Sequence, residues 1–143
     1  MLKGISNLLT PQLLYHLQAM GHGDEISIVD GNYPGESAGP RLVRLDGHSA
    51  TAILDAILAL MPLDTYVPTA AVGMDVVGEV PEEPPILSDF RSIIGKHQPG
   101  IELSLFKKPD FYPRANAAYA IVQTSEARLY GNIVLRKGVI FPS

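Results

Sequence analysis

Short apolar runs rich in β-branched residues alternate with helix-like segments along most of this chain, and this alternation is the strongest constraint on its fold. Glu25–Val29 reads EISIV, with the alternation typical of a strand. Before it, Thr10 and Pro11 provide a helix start, and leucines recur at helical spacing up to Met20. Strands and helices in alternation indicate α/β layers in which helices cover a largely buried sheet.

The same patterns extend along the whole chain. Helices are predicted at Pro11–Met20, Ser49–Leu60, Ile86–His97 and Asp110–Ala117, the last with Pro113 in its first turn. Strands are predicted at Glu25–Val29, Arg41–Leu45, Val67–Asp75, Ile101–Phe106, Tyr119–Thr124 and Asn132–Arg136. The segment SEARLYG between the last two strands is too short for a crossover helix, so part of the sheet is antiparallel. We therefore predict one domain over residues 1–143, of the α/β class, with three α/β/α layers and a mixed, mostly parallel sheet.

Composition excludes several classes of function. With 143 residues, 46% of them apolar, the chain is long enough for one packed core. Its net charge of −4, without a basic block, argues against nucleic-acid binding. The chain has no cysteine, which excludes disulfides, thiolate metal sites and thiol catalysis. Since no apolar run approaches the ~20 residues of a membrane span and no signal sequence is evident, we expect a cytoplasmic protein without membrane contact.

A histidine between two glycines is the first candidate for chemistry. Gly21 and Gly23 let the backbone take unusual angles around His22, whose imidazole can give and take a proton near neutral pH. Asp30 follows the first strand, where ligands bind in open α/β sheets. Structural alternatives stay open for both: His22 can cap the preceding helix, and Asp30 followed by Gly31 can form an Asx turn.

A second candidate segment precedes the last predicted strand. Tyr130 offers a hydroxyl on an apolar ring, and Asn132 offers both a donor and an acceptor, which suits the ring face and hydroxyls of a sugar. The alternative is a tyrosine packed under a turn. Lys107 and Lys108 could bind an anionic or hydroxylated ligand, or they could simply be solvated.

Other cofactor and metal signatures are missing from the sequence. None of the four histidines is paired at the H-x-x-x-H or H-x-H spacing of a metal site. The chain also lacks a G-x-S-x-G elbow, a Walker loop and a G-x-G-x-x-G fingerprint. We therefore predict no cofactor and no metal site.

Two motifs carry a resemblance to a known family. L-x-x-M-G-H-G-D near the start and E-x-x-x-Y-G-N-I-x-L-x-K-G-V near the end resemble the bacterial fucose mutarotase family, which is related to the D-ribose pyranase family. The similarity extends over nearly the whole chain. It implies an isomerase that interconverts the α and β anomers of a free monosaccharide, with L-fucose as the first choice. D-ribose pyranase activity and a non-catalytic sugar-binding or transport-accessory role are the alternatives.

The resemblance also implies roles for individual residues. His22 corresponds to the catalytic histidine, which acts as proton donor. Substrate-binding roles are implied for Asp30, Lys108, Tyr130, Gly131 and Asn132. Lys108 departs from the family pattern, in which arginine or histidine stands at this position, and a lysine is a point charge where arginine is a flat fork. Family members form ring-like homo-oligomers with sites near subunit boundaries, so we expect a homo-oligomer, with a decamer as one option.

Overall fold

A six-stranded mixed sheet lies between two layers of helices in the computed structural model, which describes residues 1–39 and 41–143. The strands are β1 (Glu25–Val29), β2 (Leu42–Leu45), β3 (Ala71–Met74), β4 (Leu103–Phe106), β5 (Ala120–Thr124) and β6 (Ile133–Arg136). The helices are α1 (Pro11–Ala19), α2 (Gly35–Ala38), α3 (Ala50–Leu58), α4 (Pro85–His97) and α5 (Lys108–Asn116). No helix within the described ranges is long and apolar enough to cross a membrane.

The strand order is β2-β5-β1-β6-β3-β4, and β6 is antiparallel to both of its neighbours. The remaining pairs, β2 with β5, β5 with β1 and β3 with β4, are parallel. This confirms the predicted α/β fold with a mixed, mostly parallel sheet. Although β5 and β6 are consecutive in sequence, they do not pair with each other. β1 lies between them, and β6 pairs with β1 and β3.

Each face of the sheet has its own apolar core. Ile26 and Ile28 of β1 belong to the larger core, which also contains buried residues of α1, α3 and α4. Val29 belongs to the smaller core on the opposite face, where Phe111 and Ala115 of α5 are fully buried. Alternate side chains of one strand therefore enter different cores, as the period of two in a strand requires.

Several predicted boundaries differ from the structure. The third strand covers only Ala71–Met74 within the predicted 67–75, since Pro68 has no N–H to donate to a sheet. The last helix begins at Lys108, so Pro113 lies inside it and not in the first turn. The four-residue helix Gly35–Ala38 falls in a segment with turn chemistry and was not predicted. The strand Glu25–Val29 has the predicted bounds.

The antiparallel direction of β6 determines which segments meet at each edge of the sheet. The segments after β1 and β3 and the segment before β6 lie at one edge, which we call the cavity edge. The segments before β1 and β3 and the end of β6 lie at the other, which we call the histidine edge. Five residues of strand separate the two edges by roughly 17 Å.

Candidate active site

Asp30 and Asn132 form a buried pair at the cavity edge. The backbone N–H of Asp30 donates to Oδ1 of Asn132 at 2.8 Å, and Nδ2 of Asn132 donates to Oδ2 of Asp30 at 3.1 Å. The two residues are 5% and 4% exposed. Asn32 N–H donates to Oδ1 of Asp30 at 3.0 Å, which is the Asx turn that the sequence left open. One carboxylate oxygen of Asp30 therefore forms the Asx turn, and the other accepts from Asn132.

The environment of Asp30 shifts the pKa of its carboxyl group. Burial raises the pKa of the Asp30 carboxyl, and hydrogen bonds from Asn32, Asn132, Gly131 and Tyr33 only partly offset that rise. The backbone of Gly131 thus supports Asp30 directly. A carboxylate in this setting is a strong acceptor for a ligand hydroxyl, because it is partly removed from competing water.

A cavity of about 210 Å³ opens above this pair. Its polar lining comes from Asp30, Asn32, Lys108 and Asn132. Drug-sized ligands occupy pockets of about 300–1,000 Å³, so this cavity suits a smaller polar molecule.

Aromatic and apolar side chains complete the wall of the cavity. Tyr33 and Tyr112 both line it and stack with their ring centroids 5.2 Å apart. Nζ of Lys108 lies 5.6 Å from the ring centroid of Tyr112. The hydroxyl of Tyr33 donates to Oδ1 of Asn116, and burial raises the pKa of Tyr33 to about 12. Tyr33 therefore stays neutral over the physiological range. It lines the cavity while its hydroxyl is hydrogen-bonded to Asn116.

Apolar side chains from the end of β3 and from two loops form the remaining wall, namely Met74, Val77 and Leu129. Met74 is buried, whereas Val77 and Leu129 are exposed at the rim. Tyr130 also lines the cavity, with a left-handed backbone at φ 64°, and its hydroxyl accepts a hydrogen bond from Val77 N–H at 3.1 Å. The cavity thus has a polar floor and one apolar side.

His22 lies at the histidine edge and does not line this cavity. Its Nε2 is 3.1 Å from Oδ1 of Asp64, and its side chain is 43% exposed, whereas that of Asp64 is 1% exposed. Nε of Arg136 donates to Oδ2 of Asp64 at 2.9 Å. A buried carboxylate therefore holds a partly exposed imidazole at the surface of the chain.

The charge of Asp64 is stabilised locally. Burial opposes its ionisation, but hydrogen bonds from Tyr66 N–H, His22 and Arg136 outweigh burial and hold the pKa of Asp64 below its usual value. Sequence reasoning missed Asp64. The only signal was a single acid directly after the apolar residues Met61 and Leu63.

The capping alternative for His22 is wrong. Nζ of Lys137 donates to the carbonyls of Leu17 and Met20 at 2.7 and 2.6 Å and so satisfies the end of α1. Gly23, with φ of +89°, turns the chain toward β1, and a Cβ there would lie 3.1 Å from Nη2 of Arg136. The glycine after His22 thus makes room for the side chain that holds Asp64.

The sequence-predicted residues therefore divide into two groups. Asp30, Lys108, Tyr130 and Asn132 line one cavity, and Gly131 supports Asp30 from behind without lining it. His22 lies at the opposite edge of the sheet in the same chain. Among the residues that the structure describes, no cluster of three or more His, Asp or Glu side chains could hold a metal ion.

A family model described as the RbsD / FucU transport protein family matches residues 3–140. This chain belongs to that family. The resemblance seen in the two sequence motifs is thereby confirmed. The RbsD / FucU match covers both the histidine edge and the cavity edge, so both groups of residues belong to the part of the chain that the family shares.

Individual relatives of this RbsD / FucU chain are similar over almost their full length. The fucose mutarotase of Homo sapiens is 43% identical over 145 residues, which cover 97% of this chain and 94% of that protein. The crystal structure of the fucose mutarotase in complex with L-fucose from Streptococcus pneumoniae is 43% identical, covers 98% of this chain and 100% of its own, and has a TM-score of 0.91. Bacillus subtilis RbsD complexed with D-ribose shares the fold, with a TM-score of 0.77 at 19% identity and coverage of 99% and 100%.

Proposed function

We propose that this protein is an isomerase that interconverts the α and β anomers of free L-fucose. The observation that carries the proposal is the buried Asp30–Asn132 pair at the floor of a small cavity with polar, aromatic and apolar walls. The relatives named fucose mutarotase, at 43% identity over nearly the whole chain, support the same activity.

The cavity chemistry favours L-fucose over a pentose. L-Fucose carries hydroxyl groups together with one methyl group, so it has both polar and apolar surface to bury. Asp30, Asn132 and Lys108 can bind hydroxyls, while Met74 and Val77 can cover the methyl group. D-Ribose has no methyl group and would leave the apolar wall without a matching surface.

The reaction needs proton transfer and no redox chemistry. A proton must reach the ring oxygen while the C1 hydroxyl loses one. The ring then opens to the aldehyde, the C1–C2 bond rotates, and the ring closes on the other face. One acid–base group can serve both steps, and such help is worth about 10²–10⁴-fold in rate. We assign that role to His22, with Asp30, Lys108, Tyr130 and Asn132 holding the hydroxyls and Gly131 orienting Asp30.

The two edges can cooperate only if the site contains residues of two subunits. His22 and the cavity stand roughly 17 Å apart across the sheet, too far for a proton transfer within one chain. We therefore propose that His22 of one copy reaches the cavity of the next. Nε2 of His22 faces Asp64, so Nδ1 is the nitrogen that we expect to meet the substrate.

Exposed apolar side chains near both edges support such a contact. Tyr66 lies beside His22 with ring centroids 5.4 Å apart, and the ring centroid of Phe141 lies 6.4 Å from that of Tyr66. Val77 and Leu129 are exposed at the rim of the cavity. A contact between two different patches is heterologous, and it closes into a ring when the rotation permits. We propose a ring-like homo-oligomer, including the decamer, in the cytoplasm.

Saturation-transfer NMR on L-fucose at anomeric equilibrium tests the proposed function. Catalytic amounts of the protein are expected to accelerate exchange between the α and β signals. D-Ribose and D-galactose serve as comparison sugars, and faster exchange of D-ribose than of L-fucose would favour a pyranase. Saturable binding of L-fucose without faster exchange would instead identify a non-catalytic sugar-binding protein.

A further inference from the structure

A buried acid holds the connection between β5 and β6, the segment that supplies Tyr130 and Asn132. Glu126 is 6% exposed. Oε2 of Glu126 accepts hydrogen bonds from the backbone N–H and Nε of Arg128 at 3.2 and 3.3 Å, and Oε1 accepts from Nη2 at 3.2 Å. The same guanidinium donates through Nη1 to Oδ2 of Asp89 on α4 at 2.6 Å. The connection is therefore tied to α4 through one ion-pair chain.

Glu126 also contacts the residues next to both members of the cavity floor, Gly31 beside Asp30 and Gly131 beside Asn132. Its backbone carbonyl accepts a hydrogen bond from Gly31 N–H at 2.9 Å, directly after Asp30. Its Cγ lies 2.8 Å from the position that a Cβ on Gly131 would occupy. Gly131 does not have a positive φ, so glycine is needed there for this close approach and not for backbone conformation. A movement of Glu126 would shift the segments that carry Asp30 and Tyr130.

We propose that Glu126, through its ion pair with Arg128, is a positioning residue that sets the arrangement of Asp30 relative to the Tyr130–Asn132 segment and hence the affinity for the sugar. This inference rests on the proposed function and assigns a determinant of binding at the same site. Glu126 lies behind the cavity and does not line it, so it acts through the two segments that it holds.

A packing role alone does not explain a carboxylate at this position. Burying a charge is costly, and a side chain of similar size without charge would fill the space without that cost. Although burial opposes ionisation, hydrogen bonds from Arg128 and from Ala50 N–H keep the pKa of Glu126 below its usual value. Both carboxylate oxygens thus face N–H donors, and an amide at this position would turn an NH₂ group against one of them.

Glu126→Gln keeps the volume and removes this charge-assisted pairing. We expect the KM for L-fucose, measured from NMR exchange rates over a range of sugar concentrations, to rise about tenfold. We expect kcat to stay within about twofold, because the acid–base group is a different residue and belongs to another edge. Thermal unfolding of the same samples establishes that the variant is folded.

Asp55→Asn is the matched control. It also removes a carboxylate that is hydrogen-bonded to basic side chains, Lys96 Nζ at 2.9 Å and His97 Nε2 at 2.7 Å, but it does so between α3 and α4 and away from the cavity. Its KM is expected to equal that of the wild type. A KM increase in Asp55→Asn equal to that of Glu126→Gln would overturn the proposal, since any lost ion pair would then have the same effect.

Arg128→Gln removes the same ion pair by changing its other member, whose side chain is 40% exposed. This variant tests the positioning role if Glu126→Gln does not fold. Its KM is expected to rise with unchanged kcat, and the double variant is expected to match either single variant. An unchanged KM in the folded variants, or a loss in kcat alone, contradicts the positioning role. If the wild type accelerates no exchange, the proposed function fails instead. The dissociation constant for L-fucose, measured by calorimetry, then replaces KM as the test of Glu126.

Discussion

Each edge of the sheet has one buried aspartate, and the pKa values of these two aspartates are shifted in opposite directions. Burial raises the pKa of Asp30 at the cavity edge, whereas its partners lower the pKa of Asp64 at the histidine edge. Asp30 faces a cavity and keeps part of its hydrogen-bonding capacity for a ligand. Both carboxylate oxygens of Asp64 are hydrogen-bonded, to Arg136, Tyr66 N–H and His22, and Asp64 thereby holds a partly exposed imidazole at the surface of the chain.

This difference shows that the sequence-predicted residues of one chain lie at opposite edges of the sheet. The residues that line the cavity include carboxyl, phenol and lysine side chains but no imidazole. The imidazole of His22 lies at the histidine edge, outside this cavity. This separation is the physical basis of our proposal that the site is shared between copies.

Replacing the imidazole is expected to have the largest effect. His22→Gln should slow L-fucose exchange by about 10²–10⁴-fold, because the acid–base contribution is lost while an amide still fills the space. Binding of L-fucose and the unfolding temperature should change little, since the hydroxyls are held by other residues and the imidazole is about half exposed within its own chain. Exchange measured by NMR at wild-type rate would remove His22 from the mechanism.

Mixing variants tests whether the two edges belong to one site. At L-fucose concentrations well below KM, His22→Gln and Asp30→Asn should each be slower than the wild type by about tenfold or more, but chains unfolded together and refolded as a mixture should recover exchange. With equal amounts and random assembly of a ring, about a quarter of the sites combine two intact edges, so about a quarter of wild-type activity is expected. No recovery in assembled oligomers would show that each chain uses its own residues.

The loss of the cavity carboxylate is expected to be smaller than the loss of the histidine. Asp30→Asn should weaken L-fucose binding by about 10–100-fold, because a charge-assisted hydrogen bond to a hydroxyl is replaced by a neutral one. Titration calorimetry measures this directly. Asp46→Asn, which removes an exposed carboxylate paired with Arg44, is the control and should bind normally.

As pH falls, L-fucose affinity at the cavity edge should be lost before the stability contributed by the histidine edge. The pKa of Asp30 is raised, so its carboxylate takes up a proton first as pH falls, and L-fucose affinity should drop above the pH at which an ordinary aspartate titrates. The folded pKa of Asp64 lies below its unfolded value, so its contribution to stability is complete above that unfolded value and disappears as pH falls through the folded one. The expected contribution is about 1–3 kcal/mol.

Affinity and unfolding temperature measured on the same buffers check this order. Asp64→Asn should lower the unfolding temperature at neutral pH and should converge with the wild type in strong acid, where both side chains are uncharged. Loss of stability before loss of affinity would contradict the assignment of opposite pKa shifts to the two edges.

Local sequence signals predicted much of the fold but less of the site. Glu25–Val29 had the observed bounds, and Thr10 caps α1 with its side chain accepting from Leu13 N–H, as the Thr-Pro pair indicates. Pro113 was misplaced because a helix tolerates one missing hydrogen bond where Phe111 and Ala115 anchor it in the core. Asp64 was missed because a lone acid has no sequence pattern that distinguishes it from a surface residue.

The sequence by itself determined the alternation of strands and helices, their caps and turns, and the residue types that could bind and protonate a sugar. Only the tertiary structure decided that β6 inserts between β1 and β3. That pairing brings Asn132 to Asp30 across 102 residues at one edge and Arg136 to Asp64 across 72 residues at the other. Local propensity cannot specify it, because any of several apolar strands could pair with β1, and the choice depends on burying all of them together.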